Sequence, residues 1–431
     1  MKPSATPARP SRHPLVRYFK VLGPGLVTGA SDDDPAGIAT YSSVGASLGF
    51  GMLWTALATF PLMAAVQLVC ARIGLVTGRG LAGAVRQHYP RPFLYFACAL
   101  LLVANVFNIA ADLAGMGDAA EMLTGVSSHL WVPAFGVLLI AVTVYMSYAT
   151  LARALKWLTA VLFAYVIAAF LARPHWRAAL VATLVPTLRW DTAFLGAFVA
   201  VLGTTISPYL FFWQAAQEVE EERAHGRTTV AARRGATSRE LREARTDVVT
   251  GMAFSNVVMF FIILCTAATL HRAGIHEIDT SRQAAEALRP LAGDAAYLLF
   301  TLGIVGTGLL AVPILAGSAS YAVAELFAWR AGLDLRPRQA KRFYLVLAGS
   351  IGAGMLLDVL DMNAIRMLFL SAVLNGLLAP PLLVLVMLVG SNARIMGSHV
   401  NPRWLNVLGW TATLVMTAAA VALGLSAISH P

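Results

Sequence analysis

The chain has 431 residues, of which 58% are hydrophobic and only 13% carry a formal charge. A soluble protein of this length needs more polar surface, so the composition predicts an all-α polytopic membrane protein. The net charge of +10 invites comparison with nucleic-acid-binding proteins, but the basic residues are scattered over many loops, which excludes a single basic face for nucleic acid.

Eleven apolar segments are long enough to cross a bilayer, for which about 20 residues are needed. With the N-terminus in the cytoplasm, the inner segments hold 25 of the 32 Lys and Arg residues. Cytoplasmic loops are enriched in these residues, so the sequence predicts a bacterial inner-membrane protein with its N-terminus inside and its C-terminus outside. The predicted spans cover residues 24–48, 52–71, 93–115, 131–150, 155–172, 194–216, 249–270, 295–319, 343–358, 365–389 and 405–426.

The first span contains three consecutive aspartates, Asp32, Asp33 and Asp34, followed directly by Pro35. A carboxylate at bilayer depth costs about 3 kcal/mol on insertion scales, so it is rarely present without a partner. Proline breaks the helix, and a broken helix at this depth is tolerated where its free backbone groups line a cavity. The combination predicts a cation site of a secondary transporter.

A simpler interpretation of the same residues is an ordinary helix start. In that case Asp34 is the N-cap and Pro35 the first helical residue. It leaves unexplained why the flanks of the break, 22–30 and 38–50, are each too short to span a bilayer alone. Capping and a metal role are also compatible with each other.

The third span carries Asn105, Asn108 and Asp112 at positions i, i+3 and i+7, which places them on one helical face. Such a polar stripe either forms hydrogen bonds between helices or lines a pathway, and the sequence favours neither. In the tenth span Ser371 and Asn375 are an i, i+4 pair, for which helix packing is the favoured interpretation. No Lys or Arg lies within a span, so the carboxylates point to a metal ion, a proton or a cationic substrate.

The sixth span is interrupted as well, because Gly203 and Pro208 lie near its middle. Two broken spans, five spans apart, are typical of inverted five-helix repeats, and the broken pair marks the substrate site. The charged stretch after this span is predicted to be a solvated loop, with a gating role as the alternative. The predicted parts are a cytoplasmic tail (1–21), a first repeat (22–172), an outer loop (173–193), a second repeat (194–389) with the charged cytoplasmic loop (217–248), and an eleventh helix with a C-terminal tail (390–431).

Several short motifs occur in a fixed order along the chain, at residues 23–26, 34–37, 50–54, 71–78, 112–114 and 205–208. Together they resemble the Nramp family of divalent-metal transporters, and the resemblance covers most of the sequence. It implies a LeuT-type fold, in which a 5+5 inverted repeat carries broken helices 1 and 6, in agreement with the repeat inferred above.

The resemblance implies a metal site between the two broken helices, and the chain departs from it at several positions. Asp34 matches the family's metal-binding aspartate, whereas Gly37 stands where the family has an asparagine ligand. In the sixth span Thr204 replaces an alanine whose carbonyl binds the metal, and Ser207 replaces a methionine ligand. Hydroxyl and carboxylate oxygens suit harder cations than a thioether does, so these changes favour Mg²⁺ and Mn²⁺.

The family's proton route is altered too. Gly115 replaces a glutamate of that route and Tyr209 a histidine, while Ala372 replaces the usual glutamine of the tenth span. These changes predict weak or absent proton coupling and resemble the Nramp-related magnesium-transporter branch. The predicted metal site comprises Asp34, Ser207, Thr204 and Gly37, with an outer shell or pathway of Asp32, Asp33, Asp112, Asn108, Thr205, Tyr209 and Asn375 and with helix breaks at Pro35 and Pro208.

The leading hypothesis is a transporter of Mg²⁺ or Mn²⁺ that works by alternating access. One alternative is a proton-coupled importer of Mn²⁺ or Fe²⁺ in which Asp34 and Asp112 carry protons. Another is a cation-coupled symporter of a small organic solute. The chain lacks HExxH, GxSxG and P-loop motifs, so no enzyme activity is predicted. Its expected partners are the divalent cation, as substrate instead of cofactor, and the lipid bilayer; the oligomeric state, a monomer included, is left open.

Overall fold

The computed structural model describes residues 22–145, 160–360 and 362–429, and these form helices and turns without a strand. The longer helices are α1 (Pro24–Asp32), α2 (Pro35–Leu48), α3 (Trp54–Thr77), α4 (Leu81–His88), α5 (Arg91–Thr124), α6 (Ser128–Tyr145), α7 (Phe163–Leu171), α8 (Trp176–Leu184), α9 (Thr192–Thr205), α10 (Pro208–Ala224), α11 (Ser238–Thr269), α12 (Ala296–Leu326), α13 (Lys341–Leu357), α14 (Ala364–Gly390) and α15 (Arg403–Ser429). Short helical turns lie at Gly49–Met52, Ala160–Leu162, Val230–Arg233, His271–Ala273, Ser281–Ala285, Glu286–Leu288, Arg289–Ala292, Gly293–Ala295, Asp358–Leu360, Ala393–Met396 and Gly397–His399.

Nine helical segments of the described residues are long and apolar enough to cross a membrane, which confirms the all-α membrane architecture. The first predicted span is a pair of shorter helices, α1 and α2. The fifth predicted span begins within 146–159, outside the described residues, and ends in α7. Eleven spans therefore remains a prediction for the whole chain.

The two broken spans have the same local structure. After α1, Asp33 has φ −86° and ψ 56°, and Asp34 is extended before Pro35 begins α2. After α9, Ile206 has φ −121° and ψ 58°, and Ser207 is extended before Pro208 begins α10. Proline forces its predecessor out of the helical conformation and is itself well suited to the first helical position. Each break is thus two residues long and ends in the same way, as expected for related halves.

The broken helices lie in the middle of the bundle. In the apolar part of the α9–α10 segment 89% of the residues are buried within the protein, compared with 22% for α6 and for α15. The outer helices therefore present most of their surface to lipid. Unpaired backbone groups at a break are tolerated at this depth because protein, and not hydrocarbon, surrounds them.

Helix α1 packs against α11 through glycine. A Cβ added to Gly29 would collide with the backbone of Gly251, and one added to Gly251 would collide with the carbonyl of Gly25. Small residues at these positions allow the two backbones to touch directly, as in many membrane helix pairs. This contact brings Asp32 and Asp33 next to α11.

Two helices were not predicted from the sequence. Helix α4 follows the second span, and α8 lies in the predicted outer loop, where Leu180 and Leu184 are more than half exposed. The charged stretch 217–248 also differs from the prediction of a freely solvated loop. Its Arg233 is only 3% exposed and donates through Nε to the carbonyl of Gly78 at 3.3 Å. The middle of this stretch is therefore packed against the end of α3.

Candidate metal site

Asp34 caps the second half of the first broken span. Its Oδ1 accepts the backbone N–H of Gly37 at 2.7 Å, and its Oδ2 lies 3.5 Å from the hydroxyl of Tyr209. The side chain is 2% exposed. The capping interpretation is therefore correct for one carboxylate oxygen, while the other faces the second broken helix. The metal role of Asp34 stays a prediction.

Thr204 brings a hydroxyl from α9 to the first turn of α2. A Cβ built on Gly37 would lie 3.1 Å from Thr204 Oγ1 and 3.4 Å from Asp34 Oδ1. The two oxygens therefore flank the same small space beside Gly37. Three of the four residues predicted to form the metal site are adjacent, although they come from distant parts of the chain.

Ser207 lies at the second break and turns its hydroxyl toward its own chain. Its Oγ donates to the carbonyl oxygens of Gly203 and Thr204, at 2.9 and 2.8 Å. A hydroxyl that donates its proton still has acceptor lone pairs, so Oγ remains able to bind a cation. Thr205 likewise donates to the carbonyl oxygen of Val201 within α9, at 2.8 Å, and its place in the outer shell stays a prediction.

Tyr209 joins the two broken helices. Its hydroxyl donates to the carbonyl oxygen of Ser31 at 2.8 Å, and its own carbonyl accepts the hydroxyl of Ser318 at 2.7 Å. Tyr209 is fully buried. The phenol is therefore held between α1, α10 and α12, with its oxygen next to Asp34.

Asp32 and Asp33 share a partner that the sequence did not reveal. The hydroxyl of Ser255, on α11, lies 2.7 Å from Asp32 Oδ2 and 3.2 Å from Asp33 Oδ1. The second oxygen of each carboxylate has no hydrogen-bond partner among the described residues. Both side chains are completely buried. A carboxylate that solvent does not reach is poorly placed to attract cations from solution, so a position in the outer shell of the metal site is the favoured role for Asp32 and Asp33.

Asp112 and the asparagines of α5 have separate roles. Asn108 and Asn375 form a reciprocal amide pair, with N–O distances of 2.8 and 3.1 Å, and Asn105 donates to the carbonyl of Leu315 at 2.8 Å. These are the interhelical hydrogen bonds that one interpretation predicted. The carboxylate of Asp112 instead lies near the backbone N–H of Ala36 and close to Asp34, and neither of its oxygens makes a hydrogen bond of ordinary geometry with a described residue.

The donors that meet at the breaks are oxygen atoms. Across the described residues, no three His, Cys, Asp or Glu side chains are arranged to hold a metal ion. A cation between the broken helices would therefore rely on Asp34 together with neutral hydroxyl and carbonyl oxygens. Such donors suit Mg²⁺, Ca²⁺ and Mn²⁺.

The N-terminal end of α1 is held by a residue whose role the sequence did not predict. Asp247, only 2% exposed, accepts the backbone N–H groups of Gly23, Gly25 and Leu26 at 2.8, 2.6 and 3.0 Å. It caps α1 from α11. In the sequence it is one acidic residue in a charged stretch, and its spacing gives no signal of this contact.

Comparisons with known proteins agree with this arrangement. The sequence model of the Nramp family, described as natural resistance-associated macrophage protein-like, matches residues 25–426. The divalent metal cation transporter MntH of Klebsiella pneumoniae strain 342 is 27% identical over 414 residues, which cover 92% of each chain.

Solved structures extend the likeness to the fold. The manganese transporter of Eremococcus coleocola superposes with a TM-score of 0.73 at 18% identity, over 97% of this chain and 89% of that one. Mhp1, a nucleobase-cation-symport-1 family transporter, superposes with a TM-score of 0.53 at 16% identity, over 95% and 94% of the two chains. Identities this low establish the fold alone. The predicted LeuT-type architecture is confirmed, apart from its exact helix count.

Proposed function

The chain belongs to the Nramp family, and on this premise we propose that it is a membrane transporter of divalent metal cations, with Mg²⁺ or Mn²⁺ as its substrate. The MntH relative is named for divalent metal cations and the Eremococcus coleocola neighbour for manganese. The observation that carries the proposal is the position of the Asp34 carboxylate, which faces Tyr209 where the two broken helices meet. Binding at the meeting point of two inverted repeats is suited to alternating access, because the site stays fixed while the halves rock around it.

The preference for a hard cation is supported by the donor set. Asp34 supplies a carboxylate that faces the second broken helix, and the hydroxyls of Thr204, Ser207 and Tyr209 supply neutral oxygens. Mg²⁺ is usually bound by one or two carboxylates and keeps several of its waters. The Asp34 carboxylate among neutral oxygens and small side chains suits a partly hydrated ion of this kind.

Thr204 also offers an explanation for Gly37. The family resemblance assigns an asparagine ligand to that position, and here the hydroxyl of Thr204 lies 3.1 Å from the place where a Cβ of residue 37 would be. We infer that Thr204 supplies the oxygen that the missing asparagine would have supplied. The site thus keeps an oxygen ligand at the first turn of α2, delivered by the other repeat.

Proton coupling is the point on which a second candidate function differs. Weak coupling is supported by Gly115 and Tyr209, which stand where the resemblance places proton-carrying residues. Proton-coupled import of Mn²⁺ or Fe²⁺ is supported by Asp112, a buried carboxyl beside Asp34 that has no hydrogen-bond partner among the described residues. Acidification measured with an internal pH dye during metal uptake separates the two.

The orientation follows from the distribution of basic residues. We propose an N-terminus in the cytoplasm and a C-terminus outside, in a bacterial inner membrane. This places Asp247 and the inner end of α1 on the cytoplasmic side. Reaction of a cysteine introduced at Ser398 with a membrane-impermeant thiol reagent in right-side-out vesicles would contradict this orientation, and protection until the vesicles are opened would support it.

The test of the transport function is metal flux in proteoliposomes made with purified protein. Asp34→Ala is expected to abolish Mg²⁺ and Mn²⁺ uptake, since the site then lacks its carboxylate. Asp294→Ala is the matched control, because that side chain is 98% exposed and lies outside the bundle. Undiminished flux in Asp34→Ala, with both variants equally folded, would refute the assignment.

A further inference from the structure

A large cavity opens at the end of the bundle that the predicted topology places in the cytoplasm. Its volume is about 870 Å³, and it lies between the end of α10, helix α4, the start of α5 and the end of α12. It is lined by six arginines: Arg79, Arg86, Arg91, Arg223, Arg233 and Arg330. None of the residues proposed to bind the metal lines it.

The lining carries a strong excess of positive charge. It includes two carboxylates, and both are engaged: Glu220 accepts from Arg223 Nη1 at 2.6 Å, and Glu325 accepts the backbone N–H groups of Gly80 and Gly83 at 2.7 and 2.8 Å. Six arginines and two glutamates leave a net charge of +4. Among the described residues, the five arginines other than Arg223 form no ion pair. The undescribed segments contain one acidic residue, Asp361, in a predicted outer loop.

Arg233 shows that this charge is held in place by the fold. Its side chain is 97% buried, since only 3% is exposed. Its Nε and Nη1 donate to the carbonyl oxygens of Gly78, Arg227 and Thr228, so the guanidinium is fixed without a carboxylate partner. Its Nη2 donates to no described residue and remains available to a ligand.

A second cavity adjoins the first. It has a volume of about 350 Å³, shares Trp329 and Arg330 with the larger one, and adds Arg338, Lys341 and Arg342. Together the two cavities present nine cationic side chains over a continuous surface. Arginine is well suited to phosphate, because its planar fork binds two oxygens at once.

The position of the cavity relative to the bilayer suggests the source of such a phosphate. Tyr95 lies one turn after Arg91 at the start of α5 and is 48% exposed, and Trp329 lines the cavity itself. Tyr and Trp side chains at the end of a span lie at the level of the lipid headgroups. Basic pockets between helices at this level are suited to anionic lipid headgroups.

We propose that this arginine-lined cavity binds a phosphate-bearing anion, supplied by the headgroup of an anionic lipid. The proposal is independent of which metal the protein transports. It assigns a ligand to a part of the molecule that the metal site does not use. The cavity lies at the far end of helix α10, whose first turn carries Tyr209 at the metal site.

The test measures the thermal unfolding temperature of the purified full chain in neutral detergent. Phosphatidylglycerol is compared with phosphatidylcholine of the same acyl chains, and inorganic phosphate is titrated in a separate arm. Phosphatidylglycerol is expected to raise the unfolding temperature, and phosphatidylcholine is not. If inorganic phosphate raises the unfolding temperature and the two lipids do not differ, the cavity binds phosphate, and the proposal that a lipid headgroup supplies it is wrong.

The matched variants remove the same charge inside and outside the cavity. Arg86→Gln with Arg330→Gln changes two exposed, unpaired lining residues and is expected to weaken phosphatidylglycerol binding about 25-fold, at about fivefold for each arginine. The control variant, Arg394→Gln with Arg403→Gln, removes two charges at the same end of the molecule but outside the cavity. These two residues lie near His399, whose carbonyl oxygen accepts a hydrogen bond from Arg72. A cooperative thermal unfolding transition in neutral detergent without added lipid shows that both double variants are folded. Equal phosphatidylglycerol affinity in the two would overturn the proposal, as would the lack of any response to phosphatidylglycerol and phosphate in the native protein.

Discussion

The hydroxyl of Tyr209 donates to the carbonyl oxygen of Ser31 at 2.8 Å and thereby joins the start of α10 to the last turn of α1. Each of these two residues lies beside a helix break, one in each half of the molecule. The bond fixes the distance between the two unwound segments and holds the phenol oxygen beside Asp34. The geometry of the proposed metal site therefore depends on a contact between the halves.

Tyr209→Phe is expected to weaken metal binding more than it weakens the fold. Loss of the hydroxyl removes a hydrogen bond worth about 1 kcal/mol and an oxygen near the cation. We expect a roughly tenfold loss of Mg²⁺ affinity, measured by calorimetry on purified protein, if about 1.4 kcal/mol of binding is lost. Tyr344→Phe is the control, because Tyr344 also donates to a main-chain carbonyl, that of Leu335 at 2.8 Å, far from the site. Equal Mg²⁺ affinity in the two variants would contradict the role given to Tyr209.

Ser207→Met is expected to change which metals bind. A thioether at this break adds a soft donor, so the ratio of Cd²⁺ to Mg²⁺ affinity is expected to rise about tenfold or more. Ser207→Ala removes the hydroxyl without adding sulfur and should leave the ratio nearly unchanged. Competition of each metal with Mn²⁺ gives both affinities. A ratio that rises equally in the two variants would mean that the sulfur is not at the site.

Gly37→Asn is expected to impair binding alone and to recover when Thr204 is shortened. The new Cβ would lie 3.1 Å from Thr204 Oγ1, which is closer than ordinary contact, so the hydroxyl must move. In the double variant with Thr204→Ala, the asparagine has room to supply the oxygen. A double-mutant cycle on Mn²⁺ affinity should give a coupling of about 1 kcal/mol or more. Additive effects would show that residues 37 and 204 do not share one ligand position.

Ser255→Ala is expected to destabilise the protein through Asp32 and Asp33. The hydroxyl is the hydrogen-bond donor shared by the two buried carboxylates, and leaving buried acceptors without a partner costs about 1–3 kcal/mol. Ser320→Ala is the control, because that hydroxyl is equally buried and donates only to Ala316 within its own helix. The quantity compared between the two variants is the thermal unfolding temperature of the purified protein in detergent. Equal losses would show that Ser255 matters only for helix packing.

The local features of the site were predictable, whereas its long-range partners were not. Pro35 and Pro208 show both breaks, because proline acts on its neighbours in the chain. Asp34 next to Pro35 likewise predicts its own cap. Ser255 could not be predicted as the partner of Asp32, since the pair is 223 positions apart and depends on how α1 packs against α11.

The burial of individual charged residues could not be predicted from the sequence either. Asp247 and Arg233 lie in a stretch whose composition is that of a solvated loop, yet each is almost fully buried and held by backbone groups. A single sequence records the identity of a charged residue and not the neighbours that compensate it. The glycines give a partial signal: Gly25 and Gly29 are four residues apart and mark a face that another backbone approaches.

The matching breaks make Asp34 and Ser207 counterparts, since each is the extended residue before the proline that starts the second half of its span. One repeat therefore offers a carboxylate at the position where the other offers an alcohol. Two facing carboxylates would neutralise a divalent ion completely and hold it tightly. With a single carboxylate at this pair of positions, an ion bound at the proposed site would be neutralised only in part by these two residues and would be held less tightly by them. This inequality between the two halves favours release, which a carrier needs as much as it needs capture.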